Sequence, residues 1–386
     1  METKSEYLDR LLVFCCENKA TDLHICVGSK PMMRVNSKLT VIPNTDIILP
    51  MAVGVIVDAI LSQKNRELLR VNRVLDFSFS RPHLGRFRCN IYQQRGSYAI
   101  AIRMLPFEIP LFSSLGLPPI AESFAHKHKG LVLITGTPGS GKSTTLASLI
   151  NIINTTYNYH VVTIEDPIEY LHRHQQSLVA QREVGEDTDT FASALQATLR
   201  EDPDIIMVGE LHDPEVISMA LTAAETGRLV LSTLHTVGVV KTLENLIGAF
   251  PVGQQNHARN RLATVLGGIL SQQLLPRLDG PGLIAASEVL IPTPATRALI
   301  RDGHYNQVRS LMHPGHHAGM QLMEADLARL YHQGKIDMHE AQLRALDLKC
   351  FETAAAEAAP PSGDSPEGES PPPGKTSAPN KTSTAE

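Results

Sequence analysis

Up to about residue 104 the apolar positions come in short runs broken by polar turns; from 120 onward continuous apolar runs alternate with helix-period segments. Residues 4–18 space Tyr7, Leu8, Leu11, Leu12 and Cys15 along one helical face. Short strands are predicted at 23–27, 32–35 and 39–42, with a turn at Asn36-Ser37, and a helix over 50–69 turns Val55, Ile56, Ala59 and Ile60 inward. Leu75, Phe77 and Phe79 alternate with Asp76 and Ser78, as in a half-buried strand, and two β-rich runs flank Arg95-Gly96 as a hairpin. Prolines at 106, 110, 118 and 119, with Gly116, mark 105–119 as a linker.

Beyond a short helix near 120, strands at 131–134, 160–165, 204–208 and 229–232 alternate with helices at 143–153, 190–200 and 214–226, the pattern of an α/β protein with a parallel sheet. Helices are expected at 239–250, 254–273, 295–301, 322–333 and 339–346, with one more strand at 283–291. Past Phe351 apolar side chains larger than alanine disappear and Pro, Ser, Gly, Ala and Glu dominate. Such a segment cannot bury enough surface to offset its ordering entropy, so 351–386 is expected to be disordered.

At 386 residues the chain exceeds one core, and the divisions expected are 1–104, a linker 105–119, a second domain 120–350 and the tail 351–386. A net charge of −5 argues against a general nucleic-acid surface. No apolar run is long enough to span a membrane and the N-terminus is polar, so a cytoplasmic protein is expected, reaching a membrane only through a partner. Five cysteines without a C-x-x-C pair read as thiols in a reducing compartment. His172 with His174, and His313 with His316 and His317, lack a second ligand cluster and do not read as metal sites.

The run LVLITGTPGSGKSTT, Leu131 to Thr145, changes the picture. A buried strand leads into Gly136-Thr137-Pro138-Gly139-Ser140-Gly141-Lys142-Ser143-Thr144, which matches G-x-x-x-x-G-K-[ST] and opens a helix. Glycines let backbone N–H groups approach a triphosphate, and the helix start favours negative charge. Lys142 would neutralise β- and γ-phosphate charge of a nucleoside triphosphate, and the Ser143 hydroxyl would hold Mg²⁺. Glu210 follows a buried apolar strand and is the candidate to orient or deprotonate the attacking water; Gly209 stands where a metal-binding aspartate is usual. Glu165, Asp166 and Glu169 surround Pro167 after another strand and could serve Mg²⁺ or its water shell. His235, at a third strand end, could sense the γ-phosphate, and Arg86, Arg88, Arg95 and Arg103 recur along the hairpin, where they could meet a phosphate.

These stations, together with TIEDPIEY (163–170), AQREVG (180–185), LREDPDIIMVGEL (199–211), LTAAETG (221–227), STLHT (232–236) and the N-terminal ATDLHICVGSKPMMRVN, resemble the PilT/PilU-type retraction ATPases of type IV pili, within the secretion-ATPase superfamily. The resemblance covers about 5–348. It implies a PAS-like N-terminal domain, a RecA-like P-loop domain, a homohexamer, and nucleotide held between domains with hairpin arginines completing the site. By motif it implies Arg88 and Arg103 as arginine fingers, with Arg95 second, Glu169 in the acidic box, Glu210 in catalysis and His235 at the γ-phosphate. It further implies coupling of ATP hydrolysis to pilus retraction through an inner-membrane platform protein, with a paralogous ATPase as a further partner. Two stretches depart from the family pattern: Gly209-Glu-Leu-His212-Asp213 for G-E-M-R-D, and Ala295-Thr-Arg-Ala-Leu-Ile-Arg-Asp302 for A-I-R-N-L-I-R-E. The second helix is associated with productive retraction, so an accessory role is the alternative. An assembly or type II secretion ATPase fits less well, because the tetracysteine insertion of those proteins is missing; a non-hydrolysing subunit and a DNA translocase are the remaining readings.

Overall fold

A computed structural model describes residues 4–357, apart from 37, 106–107 and 314–318. The first unit runs α1 (Lys4–Glu17), β1 (Asp22–Ile25), β2 (Met32–Val35), β3 (Lys38–Val41), α2 (Pro50–Ile60), α3 (Gln63–Asn72), β4 (Val74–Arg81), β5 (Gly85–Gln94) and β6 (Ser97–Met104). Its antiparallel sheet has the order β3-β2-β1-β6-β5-β4. Leu8, Leu12, Val53 and Ile56 from the helices bury against Leu23, Ile25, Ile91 and Ile100 from the strands. The expected hairpin closes through Arg95 and Gly96, both at positive φ (49° and 77°), between paired Gln94 and Ser97. That is the backbone a two-residue turn needs to match strand twist.

The helix expected over 50–69 is two helices. Ser62 interrupts it, its hydroxyl accepting from Asn65 N–H at 3.2 Å as the cap of α3. Of the predicted turn, Ser37 lies outside the described residues, as do Pro106 of the linker and His316 and His317. The linker is not loose where it is described. Phe112 and Phe124, on short 3₁₀ segments, are buried against Leu146, Leu149 and Ile150, and Ser148 Oγ donates to Pro110 O at 2.8 Å.

The second unit continues as β7 (Gly130–Thr135), α4 (Lys142–Thr156), β8 (His160–Glu165), β9 (Leu178–Glu183), α5 (Phe191–Thr198), β10 (Ile205–Val208), α6 (Pro214–Glu225), β11 (Leu229–Leu234), α7 (Val239–Gly248), α8 (Val252–Val265), β12 (Leu266–Pro276), β13 (Leu283–Leu290), α9 (Pro294–Asp302), α10 (Tyr305–Leu311), α11 (Met323–His332), α12 (Met338–Arg344) and α13 (Leu348–Glu357). Seven strands form one sheet, β13-β12-β7-β11-β10-β8-β9, parallel except for β13. Separate apolar clusters pack on its two faces.

Two expectations are corrected here, and one strand, β9, was not expected. The helix predicted over 254–273 ends at Val265, and 266–276 form β12 beside β7. A continuous apolar run does not distinguish buried helix from buried strand. In the strand, Gly268 lies against the Phe124 ring, where a Cβ would come within 2.3 Å. Arg297 on α9 fixes the change of structure, donating to Ala263 O (2.5 Å), Thr264 O (3.0 Å) and Leu266 O (2.8 Å). β9 carries too few apolar residues for its pattern to announce it. Finally, α13 extends through Glu357 with Phe351 buried, so the predicted tail loses 351–357; residues 358–386 lie outside the described residues.

Candidate active site

Strand order builds the site. β11 lies between β7, which leads into the glycine loop, and β10, which leads to Glu210. The residue after β11 therefore stands between Lys142 and Glu210, and that residue is His235. Lys142 Nζ donates to His235 Nδ1 at 3.2 Å, and His235 Nε2 lies 3.2 Å from Glu210 Oε2. Lys142 also donates to Gly136 O (2.8 Å) and Thr137 O (3.0 Å). Burial lowers the pKa of Lys142, opposed by the nearby Glu210 and Glu169 carboxylates.

The glycine loop is braced from β12. Gly136 tolerates no side chain, because a Cβ would lie 2.2 Å from Gln272 O. The Gln272 side chain donates to Ser140 O at 2.6 Å and accepts from Thr145 Oγ1 at 3.0 Å. Both ends of one buried amide thus fix the loop and the first turn of α4. Gln272 was missed by sequence reasoning because 266–273 read as helix.

The acidic box folds over the same cleft, which measures about 430 Å³ and is lined by Lys142, Ser143, Asp166, Glu169, Glu210 and His235 among others. Tyr170 OH and Thr144 Oγ1 hydrogen-bond at 3.0 Å, joining box to loop. Glu165 also borders the cleft but is committed: Oε1 accepts from Thr163 Oγ1 (2.7 Å) and Gln181 Nε2 (3.1 Å), and burial pushes its pKa up to about 7. It reads as an anchor of the box, and Asp166 and Glu169 are the freer carboxylates. Gln181 also donates to Tyr170 O (2.8 Å) and accepts from His172 N–H (2.8 Å).

Of the hairpin arginines, Arg88 lines the cleft. Arg103 stands directly across from it on β6, and Asp22 directly across from Arg103 on β1. Asp22 claims Arg103 (Nε to Oδ1 3.1 Å), leaving the side chain 66% exposed and off the cleft of its own chain. Arg95 is exposed at the hairpin tip. Arg86 enters the second unit instead, pairing with Glu183 and donating to Ile168 O at 3.1 Å. Lys64 and Asn65 of α3 add contacts to Gly185 O (3.2 Å) and Glu186 Oε1 (3.0 Å). The missed signal for Arg86 is its i, i+2 spacing from Arg88, which puts both on one face of β5. His212 borders the cleft, with Nε2 3.1 Å from Asp213 Oδ2.

Residues 112–326 match the family described as type II/IV secretion system protein. The chain belongs to that family. Within the type II/IV secretion system family it is 42% identical over 315 residues to a twitching motility protein of Neisseria gonorrhoeae, covering 82% of this chain and 84% of the relative. It is 39% identical over 338 residues to the type IV pilus retraction ATPase PilT of Pseudomonas aeruginosa, covering 88% and 98%. A crystal structure of the pilus retraction motor PilT with bound ADP superposes with a TM-score of 0.84 at 44% identity, covering 89% of this chain and 98% of that one. Among the described residues no helix is long and apolar enough to cross a membrane.

Proposed function

We propose that this chain is an ATP-hydrolysing motor subunit that powers retraction of type IV pili, acting as a homohexamer. The feature that carries the proposal is the line Lys142–His235–Glu210 across neighbouring strand ends, with Arg88 facing the same cleft. Similarity to retraction motors over nearly their whole length supports the transfer.

In this mechanism the loop 136–144 and Lys142 hold the phosphates. Glu210 orients the attacking water and accepts its proton, and His235 reads the γ-phosphate beside it. Arg88 meets charge that develops on the transferred phosphoryl. Arg103 and Arg95, being off the cleft of their own chain, would act as fingers only on a neighbouring subunit. Mg²⁺ suits the oxygen-only donor set, with Ser143 as a direct ligand and Asp166 and Glu169 in reach of its water shell; bound there it would neutralise phosphate charge. Units 1–104 and 120–350, joined by 105–119, would move against each other as ATP turns over, passing work to an inner-membrane platform protein from the cytoplasmic side.

An accessory retraction ATPase working beside a paralogue is the second reading, favoured by the three changed positions in 295–302. Deleting the gene and scoring surface pili and twitching separates them. Excess pili without twitching is the outcome expected of a principal retraction motor. Partial twitching indicates the accessory role, and loss of pili would overturn retraction in favour of assembly.

A further inference from the structure

Ile168 is gripped at both backbone groups by two side chains that are themselves an ion pair between the two units. Its N–H donates to Glu183 Oε2 at 2.9 Å, and its C=O accepts from Arg86 Nε at 3.1 Å. Arg86 Nη2 pairs with the same Glu183 oxygen. Glu183 lies on β9 of the second unit, with a side chain 4% exposed, while Arg86 comes from β5 of the first, 14% exposed. The next residue after Ile168 is Glu169, which faces the cleft.

From this geometry we propose that Arg86 and Glu183 are positioning residues that make the placement of Glu169 depend on whether the first unit is seated on the second. The physical reason is the cost of leaving a buried carboxylate half-paired. With Arg86 withdrawn, Glu183 keeps one neutral donor, Ile168 N–H, and must either stay undercompensated or swing toward water. Swinging releases Ile168 N–H, and withdrawal has already released Ile168 C=O. Both ties on Ile168 are therefore lost together, leaving the Glu169 N–H bond to Glu165 and the Gln181 bond to Tyr170 O as the remaining holds on this stretch, whereas the glycine loop, braced separately by Gln272, keeps its shape. Nucleotide grip and hydrolysis competence are thereby held by different contacts. The inference rests on the proposed hydrolysis site for its catalytic consequence, but its structural half can be read without turnover.

The test is Arg86→Met in the full chain, which keeps side-chain length and removes the charge. Amide hydrogen exchange at Ile168 should speed up by about tenfold or more, with amides of the loop 136–144 unchanged. Affinity for a fluorescent ATP analogue should stay within about threefold while kcat falls about tenfold or more, and Arg86→Lys should recover part of it. Glu183→Met, which removes both the acceptor for Ile168 N–H and the partner of Arg86, should show the same split if Arg86→Met fails to fold. Unchanged exchange at Ile168 would overturn the inference. So would faster exchange with unchanged kcat, because Glu169 placement would then not matter. A wild-type chain without ATPase activity would refute the proposed function and leave the exchange result to decide the positioning role.

Discussion

His235 Nε2 and Glu210 Oε2 lie 3.2 Å apart, and the other nitrogen of the same ring accepts a hydrogen bond from Lys142. An ammonium can only donate, so Nδ1 is the acceptor and the ring proton sits on Nε2, directed at Glu210. The imidazole thus holds the carboxylate beside the phosphate-binding lysine in one fixed tautomer.

Replacing Glu210 with Gln keeps the hydrogen-bonding shape and removes the base. Steady-state turnover should fall by about 10²–10⁴-fold, with ATP affinity within about threefold, since the phosphate cradle is untouched. Normal turnover measured in this variant would exclude Glu210 from catalysis.

Gln272→Met should weaken nucleotide binding without touching a phosphate. It leaves Ser140 O and Thr145 Oγ1 unpaired in a buried place, which costs about 1–3 kcal/mol. Isothermal titration should show ATP affinity lowered by about tenfold, and denaturant melts should show the lost stability. An affinity equal to wild type would mean that the loop holds its own shape.

Mixed rings test whether Arg88 works across subunits. Arg88→Ala protein and Lys142→Ala protein should each be inactive, and a mixture should regain part of the ATPase rate if one subunit's arginine serves another's nucleotide. With subunit exchange confirmed, a mixture as dead as its components would assign Arg88 to its own chain. The same mixing with Arg103→Ala asks whether Arg103 leaves Asp22 to serve a neighbour.

Glu288 on β13 predicts a pH effect on stability away from the cleft. Its carboxylate is fully buried, 3.9 Å from Arg309, which also pairs with Glu324 at 2.6 Å. Burial, opposed by Arg309, pushes Glu288 from 4.5 up to about 7. Between those values the folded chain keeps a proton that the unfolded chain has lost, so this group's contribution falls as pH rises through the window. Glu288→Gln cannot titrate and leaves Arg309 its Glu324 partner. Its melting temperature should match wild type near pH 4.5 and exceed it by about 3 °C or more at pH 8. Parallel melting curves across that range would disprove the shift.

The glycine loop was legible because its chemistry dictates spelling: Gly136, Gly141, Lys142 and Ser143 leave few alternatives between a strand and a helix. Glu210 and His235 were legible as polar residues after apolar strands. Their contact was not, because it depends on β11 entering the sheet between β7 and β10, and strand order leaves no mark on local pattern. Gln272 was hidden by an apolar run whose period fits two structures. The four hairpin arginines were alike in sequence. Only the folded sheet separates Arg88 at the cleft, Arg86 across the unit boundary and Arg103 drawn aside by Asp22.

Arg297 ties down the last carbonyls of α8 and the first of β12. It therefore sets the count at which the chain begins to pair with β7, where the ladder already slips between Leu266 and Gly268. A slip of one further residue would turn Gln272 to the opposite face of the sheet and take its amide away from the glycine loop. A helix on the far side of the strand thus acts as the indexing pin of the nucleotide cradle, and damage to it would surface as a phosphate-binding defect at a site it never touches.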